Sequence, residues 1–476
     1  MNPSLIFPEG ATTGQADMSS VQELRKALEA GYGTDVSALT GGGALRIQSL
    51  DTTMMATIQQ NQHFTLFNAL QTSDATATVD EWTEQDGVGG FPGGSTNTET
   101  GGIGSATGEY ARRTGSVKYL MTRREVSLVT TLQNNITDAE TIEQNNGALQ
   151  LLTDAEHLCF EGDSTVVPTE YDGIYTQLRD LNSSDHIIDL AATPLDSIGP
   201  INSAAAVIAG PGNFGRPTDL YCSFLVQSDF DTGLDPAFRV ALDNNPNSLM
   251  LGAPVTGIRT SHGNIKNCPD VFIRDEVQQQ PFELQYPAIA AVNNFTPQSA
   301  APVASAHVDS KFQGAHAGNY YYLVAGVNAK GQSVGFVSAQ VAVASGDRVT
   351  LTIGASAADT ETGYVIYRSR RNGSNAVNDF REMARIGKTG ASTAYVDYNT
   401  DIPGCSKAYV LNMQQGQNAI TWRQLLPMMR FELYPTNSAV KPWAQLLFGY
   451  LRIAKRKQHV VIKNILPNGA KWQPFV

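Results

Sequence analysis

Seven histidines are the first side chains to weigh for catalysis or metal binding: His63, His157, His186, His262, His307, His316 and His459. A zinc hydrolase helix sets two histidines four residues apart so that both imidazoles reach one ion, and no H-x-x-x-H or H-E-x-x-H spacing occurs here. Cys159, Cys222, Cys268 and Cys405 are far apart and form no C-x-x-C pair, so neither a zinc site nor a disulfide framework is signalled. Lys388, Thr389 and Gly390 follow Gly387 as in the end of a phosphate loop, but the glycine such a loop needs five positions earlier is Glu382, which makes a turn between strands the expectation. Nine glycines between Gly87 and Gly108 contain no G-x-G-x-x-G and do not lead an apolar strand into a helix, so they read as a flexible loop. No G-x-S-x-G elbow is present, and spacing alone selects no pair among the 45 acidic residues. The reading is a protein with no enzymatic activity, no cofactor and no metal.

The clustered cations are Arg112, Arg113, Arg123 and Arg124, together with the KRK run at 455–457. They read either as solvated hairpin ends or as arginine forks that pair with carboxylates of another subunit. The chain as a whole is acidic, with a formal net charge of -12. That charge disfavours gripping phosphates and is compatible with merely enclosing nucleic acid. Only 16% of residues are charged and 41% are hydrophobic, as expected when much surface ends against other subunits. The start, MNPSLIFPEG, lacks a secretory pattern and no run approaches the ~18 apolar residues of a membrane span, so a soluble protein made in a reducing cytoplasm is expected. A short arm with Met1 retained leads to the expectation that no propeptide is removed.

A length of 476 residues implies two or three compact units to position these groups. Residues 1–73 read as an N-terminal arm with one short helix, capped by Ser20-x-x-Glu23, carrying Val21, Leu24 and Leu28, and ended by Gly31. Residues 74–124 contain two alternating segments around the glycine-rich stretch and read as a long two-stranded ribbon with a flexible tip. A ribbon of that length has no core of its own and needs a neighbouring subunit to lie on. Thr137-x-x-Glu140 caps a long helix, with Ile142, Leu149, Leu152 and Cys159 on one stripe, Ala148, Leu151, Ala155 and Leu158 on the next, and Gly162 ending it by the left-handed route.

Residues 125–285 then alternate short strands (IIDL, DLYCSFLV, GAPVTGIRT, DVFIRD) with a helix from Ile201 to Ala209, an α+β pattern. Residues 286–404 turn all-β, with short alternating strands between glycine turns, and read as an inserted sandwich. Residues 405–476 return to mixed character, and QLLPMMRFELYP, KPWAQLLFGYLRI and HVVIKNIL read as central strands.

This order of arm, glycine-tipped ribbon, long helix and split α+β core resembles the Hong Kong 97-type capsid fold of tailed phages and encapsulins, whose parts are the N-arm, E-loop, spine helix, P domain and A domain. The closest likeness is LPMMRFELYPTNSAVKPWAQLLFGYLRIAKRKQHVVIKNI, similar to the final strands of phage major capsid proteins, followed by AETIEQNNGALQLLTDAEHLCFEGD with GIYTQL at the spine. The inserted stretch resembles immunoglobulin-like or fibronectin type III domains in a circularly permuted order.

The resemblance implies a shell subunit that forms pentamers and hexamers, meets a portal protein and scaffold or decoration proteins, and encloses double-stranded DNA without sequence-specific binding or a membrane. It implies residence in the virion after assembly in the host bacterial cytoplasm. Candidate intersubunit contacts of the ribbon are Trp82, Phe91, Arg112, Arg113, Lys118, Arg123 and Arg124. Two rival readings are an encapsulin-like cargo shell and a secreted carbohydrate-binding protein or glycosidase built around the sandwich. Some relatives cross-link their loops through a lysine; here the glycine-rich tip has none, and Lys118 sits near the ribbon's base.

Overall fold

The computed structural model describes residues 58, 60–132, 138–181, 183–233, 255–286, 295–435 and 438–476. The expected helix from Ser20 to Gly31 and Thr137 lie outside them. The described chain opens with α1 (Thr65–Ala69), β1 (Gln71–Asp74), β2 (Val79–Gly87), β3 (Glu109–Ser116), β4 (Lys118–Ser127), α2 (Leu128–Leu132) and the long α3 (Ala139–Glu161). The end of the stretch read as an arm is thus built into the body. Next come α4 (Ile174–Arg179), β5 (Ile187–Thr193), α5 (Gly199–Ala209), β6 (Asp219–Cys222), α6 (Phe224–Gly233), β7 (Gly257–Thr260), β8 (Gly263–Pro269) and α7 (Phe282–Gln285).

An all-β stretch then runs through β9 (Pro297–Ala306), β10 (Gly318–Tyr320), β11 (Tyr322–Asn328), β12 (Gly331–Gln332), β13 (Phe336–Val337), β14 (Val341–Val343), β15 (Asp347–Ser356), β16 (Gly363–Ser369), β17 (Phe380–Gly387) and β18 (Ser392–Asp397). The chain closes with β19 (Ser406–Leu411), β20 (Ile420–Glu432), β21 (Val440–Ile453) and β22 (Val460–Ile465).

Three bodies of core result. In the first, a sheet ordered β1-β20-β21-β4 is covered on one face by α3. Leu151, Ala155, Cys159 and Phe160 of the helix share a core with Trp422, Leu447 and Leu451. Each fully buried side chain of leucine size contributes about 1.5–3 kcal/mol. Gly147 permits the close approach, since a Cβ there would run into Gln445. Of the two expected stripes only Leu151, Ala155 and Cys159 are fully buried; Leu149, Leu152, Ala148 and Leu158 are half-buried, and Glu156 and Phe160 complete the buried face.

Asp138 caps the helix, accepting from Glu140 N at 3.2 Å and Thr141 Oγ1 at 2.7 Å. Gly162 ends it with φ -57°, not in the left-handed region. Glycine is needed there because a Cβ would collide with the carbonyl oxygens of Tyr171 and Leu158.

The second body is a mixed sheet ordered β5-β22-β19-β6-β8-β7, packed with α5 and α6 through Ile201, Ile208, Val226 and Phe230. Two expected strands differ here. The SFLV part of DLYCSFLV turns into α6, because the Ser223 hydroxyl accepts from Val226 N at 3.4 Å and offers the chain a helix start. The DVFIRD segment is a set of turns, with Asp270 Oδ1 accepting from Phe272 N at 2.7 Å. β20, β21 and β22 are interior to their sheets, as their two-sided apolar pattern predicts.

The third body is the all-β module, entered after α7 and left before β19. Sheet β18-β15-β9 and the sheet carrying β12, β11, β16 and β17 share a core of Tyr322, Val324, Leu351, Ile353, Tyr364 and Ile366. Arg368 is fully buried there, paired with Asp397 at 2.6 Å and flanked by the rings of Phe312 and Tyr320. Strand β9 went unread in the sequence because Ala, Ser and Pro dominate it. Its Pro302 fits an edge strand, which β9 is.

Candidate assembly surface

The ribbon is shorter than its sequence suggests. β2 and β3 pair antiparallel from Val79↔Ser116 to Gly87↔Glu109, whereas β4 belongs to the helix-backed sheet, with Lys118 opposite Gly449 and Arg124 opposite Trp443. Lys118, Arg123 and Arg124 therefore do not lie on the ribbon. The interruption at Val117 lets the strand change partners, and Val117 itself is buried in the core.

The ribbon's base is fixed to its own subunit. Asp80 accepts from Arg423 Nε at 2.8 Å, Arg423 Nη2 at 3.1 Å and Tyr450 Oη at 2.6 Å. Burial alone would raise the Asp80 carboxyl, but hydrogen bonds from Arg423 and Tyr450, with the charges of Arg423 and Arg452, outweigh it and hold the group below its ordinary value. Glu84 accepts from Arg113 and Arg456 at 3.3 Å each and from Trp82 Nε1 at 3.2 Å. Trp82 is half-buried against this core with Arg452 over its ring. A Cβ at Gly115 would run into the Tyr450 ring, so glycine is what lets β3 settle on the sheet.

Beyond this base the ribbon is bare. Val88, Phe91 and Ile103 are 87%, 75% and 96% exposed. Gly89, Gly90 and Gly93 take φ of 83°, 81° and 86°, a region side-chain-bearing residues rarely adopt.

The sheet face opposite α3 is the second element of the surface. Register places Leu426, Phe448 and Tyr119 in one cross-strand row, Met429, Leu446 and Met121 in the next, and Phe431 and Ala444 beside Arg123. The ribbon's base covers only the Tyr450 end of this face. Met121 is 62% exposed, Phe431 53%, Tyr119 50% and Met429 41%. A contiguous exposed apolar band of this kind marks a surface that another chain covers.

The clustered arginines find partners within the chain: Arg112 with Glu81, Arg113 with Glu84, Arg123 with Glu125 and Arg124 with Glu143. Such exposed pairs are worth roughly 0–1 kcal/mol each, so Arg112 and Arg123 can exchange partners at little cost. Arg456 of the KRK run, read as a solvated hairpin end or an intersubunit fork, instead pairs with Glu84 of its own ribbon. Sequence reasoning missed Asp80, Arg423, Tyr450 and Arg456, whose meeting depends on contacts hundreds of residues apart. The alternating Tyr119 and Met121 were a usable signal, since β4 carries apolar groups on both faces.

Among the described residues no group of three or more His, Cys, Asp or Glu is gathered as a metal would need, and the four cysteines are free. Lys388 lies between β17 and β18 and pairs with Asp359 and Glu361, as a strand-to-strand turn predicts. A cavity of about 130 Å³ at the seam of module and core is lined by Glu161, Arg274, Glu382, Arg385 and Lys407. These groups pair with one another, with Arg274 on Glu382 at 2.7 Å and Lys407 on Glu161 at 2.8 Å. No described helix is long and apolar enough to cross a membrane.

No family model matches the chain. It is 25% identical over 469 residues to a putative major capsid protein of Enterococcus phage phiEF24C, covering 95% of this chain and 96% of that one. It is 23% identical over 454 residues to the major capsid protein of Staphylococcus phage K, covering 93% and 95% of the two chains. Among solved structures, the capsid of a native GTA particle aligns over 90% of this chain and 99% of its own, with TM-score 0.47 and 9% identity. The SrpI encapsulin of Synechococcus elongatus PCC 7942 aligns over 93% and 99%, with TM-score 0.38 and 8% identity.

Proposed function

We infer that this chain is the major capsid protein of a tailed phage, a structural subunit of the shell around the genome. The observation that carries this is near-full-length sequence similarity to phage major capsid proteins. Electron microscopy of the purified protein tests it: closed icosahedral shells are expected, and a monodisperse monomer at every concentration would refute it.

The finer reading is a Hong Kong 97-type fold. The ribbon serves as E-loop, α3 as spine helix, the helix-backed sheet as P domain and the six-stranded sheet as A domain. What supports it is the connectivity: the ribbon leads directly into the sheet that α3 covers, and the final strands β20 and β21 complete that sheet. In this reading the tip residues Val88, Phe91 and Ile103 lie across the apolar band of the adjacent subunit, and Arg112 and Arg123 exchange carboxylate partners at the boundary while Arg113 stays on Glu84 in the base. Trp82 braces the ribbon from within, Lys118 is occupied by the Pro168 carbonyl at 2.6 Å, and Arg124 is held by Glu143 and Gln150.

Many modest contacts repeated by closed symmetry give a stable shell from subunits that interact weakly in pairs. Pentamers and hexamers, a portal, scaffold or decoration proteins, enclosed double-stranded DNA and assembly in the host cytoplasm belong to this same reading, as does the lack of enzymatic activity. The all-β module is read as an immunoglobulin-like domain facing outward, supported by its separate core and its exposed turn at 371–375. Antibody labelling of intact particles at that turn tests the placement, and absence of label would put the module inside.

A further inference from the structure

Glu156 is fully buried in the C-terminal part of α3, and Asp270, after β8, is 1% exposed. Neither contributes to the assembly surface. Glu156 Oε1 accepts from Leu66 N at 2.8 Å and Oε2 from Phe67 N at 2.7 Å, while Asp270 Oδ2 accepts from the Thr65 hydroxyl. Two carboxyls on separate elements thus hold three consecutive residues of α1, the element through which the N-terminal chain enters the body. Phe64 stacks on Phe272 with ring centroids 5.3 Å apart, and Phe67 packs edge-on to Trp422 at 5.1 Å, so α1 also has an apolar seat.

The two carboxyls face one another, and among the described residues the other titratable groups around them are uncharged: Cys159 on α3, Tyr171 after it, Tyr221 and Cys222 at β6 and Cys268 on β8. None supplies a cation. Two adjacent buried carboxylates without a counter-ion cannot both stay ionised at acceptable cost.

We propose that Glu156 and Asp270 share one proton and form a latch that fixes the root of the N-terminal segment to the long helix. Burial first, then the hydrogen bond and charge of Asp270, push the Glu156 carboxyl far above the usual carboxylate range. The closed latch therefore holds one more proton than the open one between the ordinary carboxylate pKa and this raised value. Its stability is complete at acid pH and falls as pH rises through that window.

Hydrogen exchange of the full chain, followed at Leu66 and Phe67 and divided by the intrinsic rate, tests this from roughly pH 5.5 to 8.5. The opening constant should rise roughly tenfold per pH unit in the parent protein and stay flat in Glu156→Gln. Asp270→Asn, which leaves both backbone bonds to Glu156 and replaces the shared proton by an amide donor, should also be flat. A flat profile in the parent, or the same slope in either variant, would overturn the latch.

Discussion

Asp80 and Arg423, 343 positions apart, meet in a two-pronged ion pair at 2.8 and 3.1 Å, with each side chain about 15% exposed. This pair divides the ribbon into a base that belongs to its own subunit and a tip that touches nothing comparable. The base keeps the tip aimed, and only the tip and the apolar band are left to meet another copy.

Breaking that anchor should loosen the ribbon without unfolding the body. Asp80→Asn leaves Arg423 and Arg452 short of a counter-charge and is expected to cost about 2 kcal/mol, below the figure for a fully buried pair because water reaches this one. Urea titration reads the cost, and faster hydrogen exchange confined to residues 79–87 and 109–116 identifies its place. Unchanged exchange there would show that the ion pair does not hold the base.

The apolar band should matter to assembly and not to the isolated subunit. Met121→Asp replaces a 62% exposed side chain and should change subunit stability by no more than about 0.5 kcal/mol while lowering the yield of closed particles. Sedimentation of the assembled fraction measures this, and normal particle yield would remove the band from the assembly surface.

Acid should weaken the seam between module and core. Glu382 is largely shielded from water, its side chain 9% exposed, which alone would raise its carboxyl, but Arg274 and Arg385 hold it down at about 2. Its contribution is therefore present above the ordinary value near 4.5 and lost as pH falls towards about 2, on the order of 3 kcal/mol in all. Thermal unfolding between about pH 6 and pH 3 should show the loss in the parent and a shallower slope in Glu382→Gln; equal slopes would mean that the seam's acid response lies elsewhere.

Pro302 should be guarding the open edge of the module. β9 carries no charge from Pro297 to Ala306, and after its first residue, Pro297, only Pro302 cannot donate to an added strand. Pro302→Thr is expected to make the protein associate with rising concentration by light scattering, at nearly unchanged thermal stability. Association no greater than the parent's would mean that the edge is protected by its surroundings.

Much of the plan was legible because periodicity is local. The long helix, the alternation of β15, and the two-sided apolar runs of β20 and β21 follow from side-chain spacing alone, whereas β11 and β16, expected to alternate, are buried on both faces over most of their length. The ribbon was legible as two alternating segments around glycines, but not where it stops. β3 and β4 read as one strand because their sequence alternates without a break, and only Val117 turning into the core reassigns β4 to the sheet. The base anchor was illegible for a different reason: nothing near Asp80 specifies Arg423 or Tyr450. Glu156 was hidden in the same way, as a helix glutamate is ordinarily solvent-facing, and its burial depends on α1 and Asp270 arriving from elsewhere.

The central claim is that the tip between Gly87 and Gly108 leaves its own subunit and lies on the next. A cryo-electron microscopy map of the assembled protein decides it. Density for Phe91 and Ile103 should run over the Tyr119, Met121 and Phe431 face of an adjacent copy. A tip folded back on its own subunit, with that face bare or covered by something else, would contradict the account.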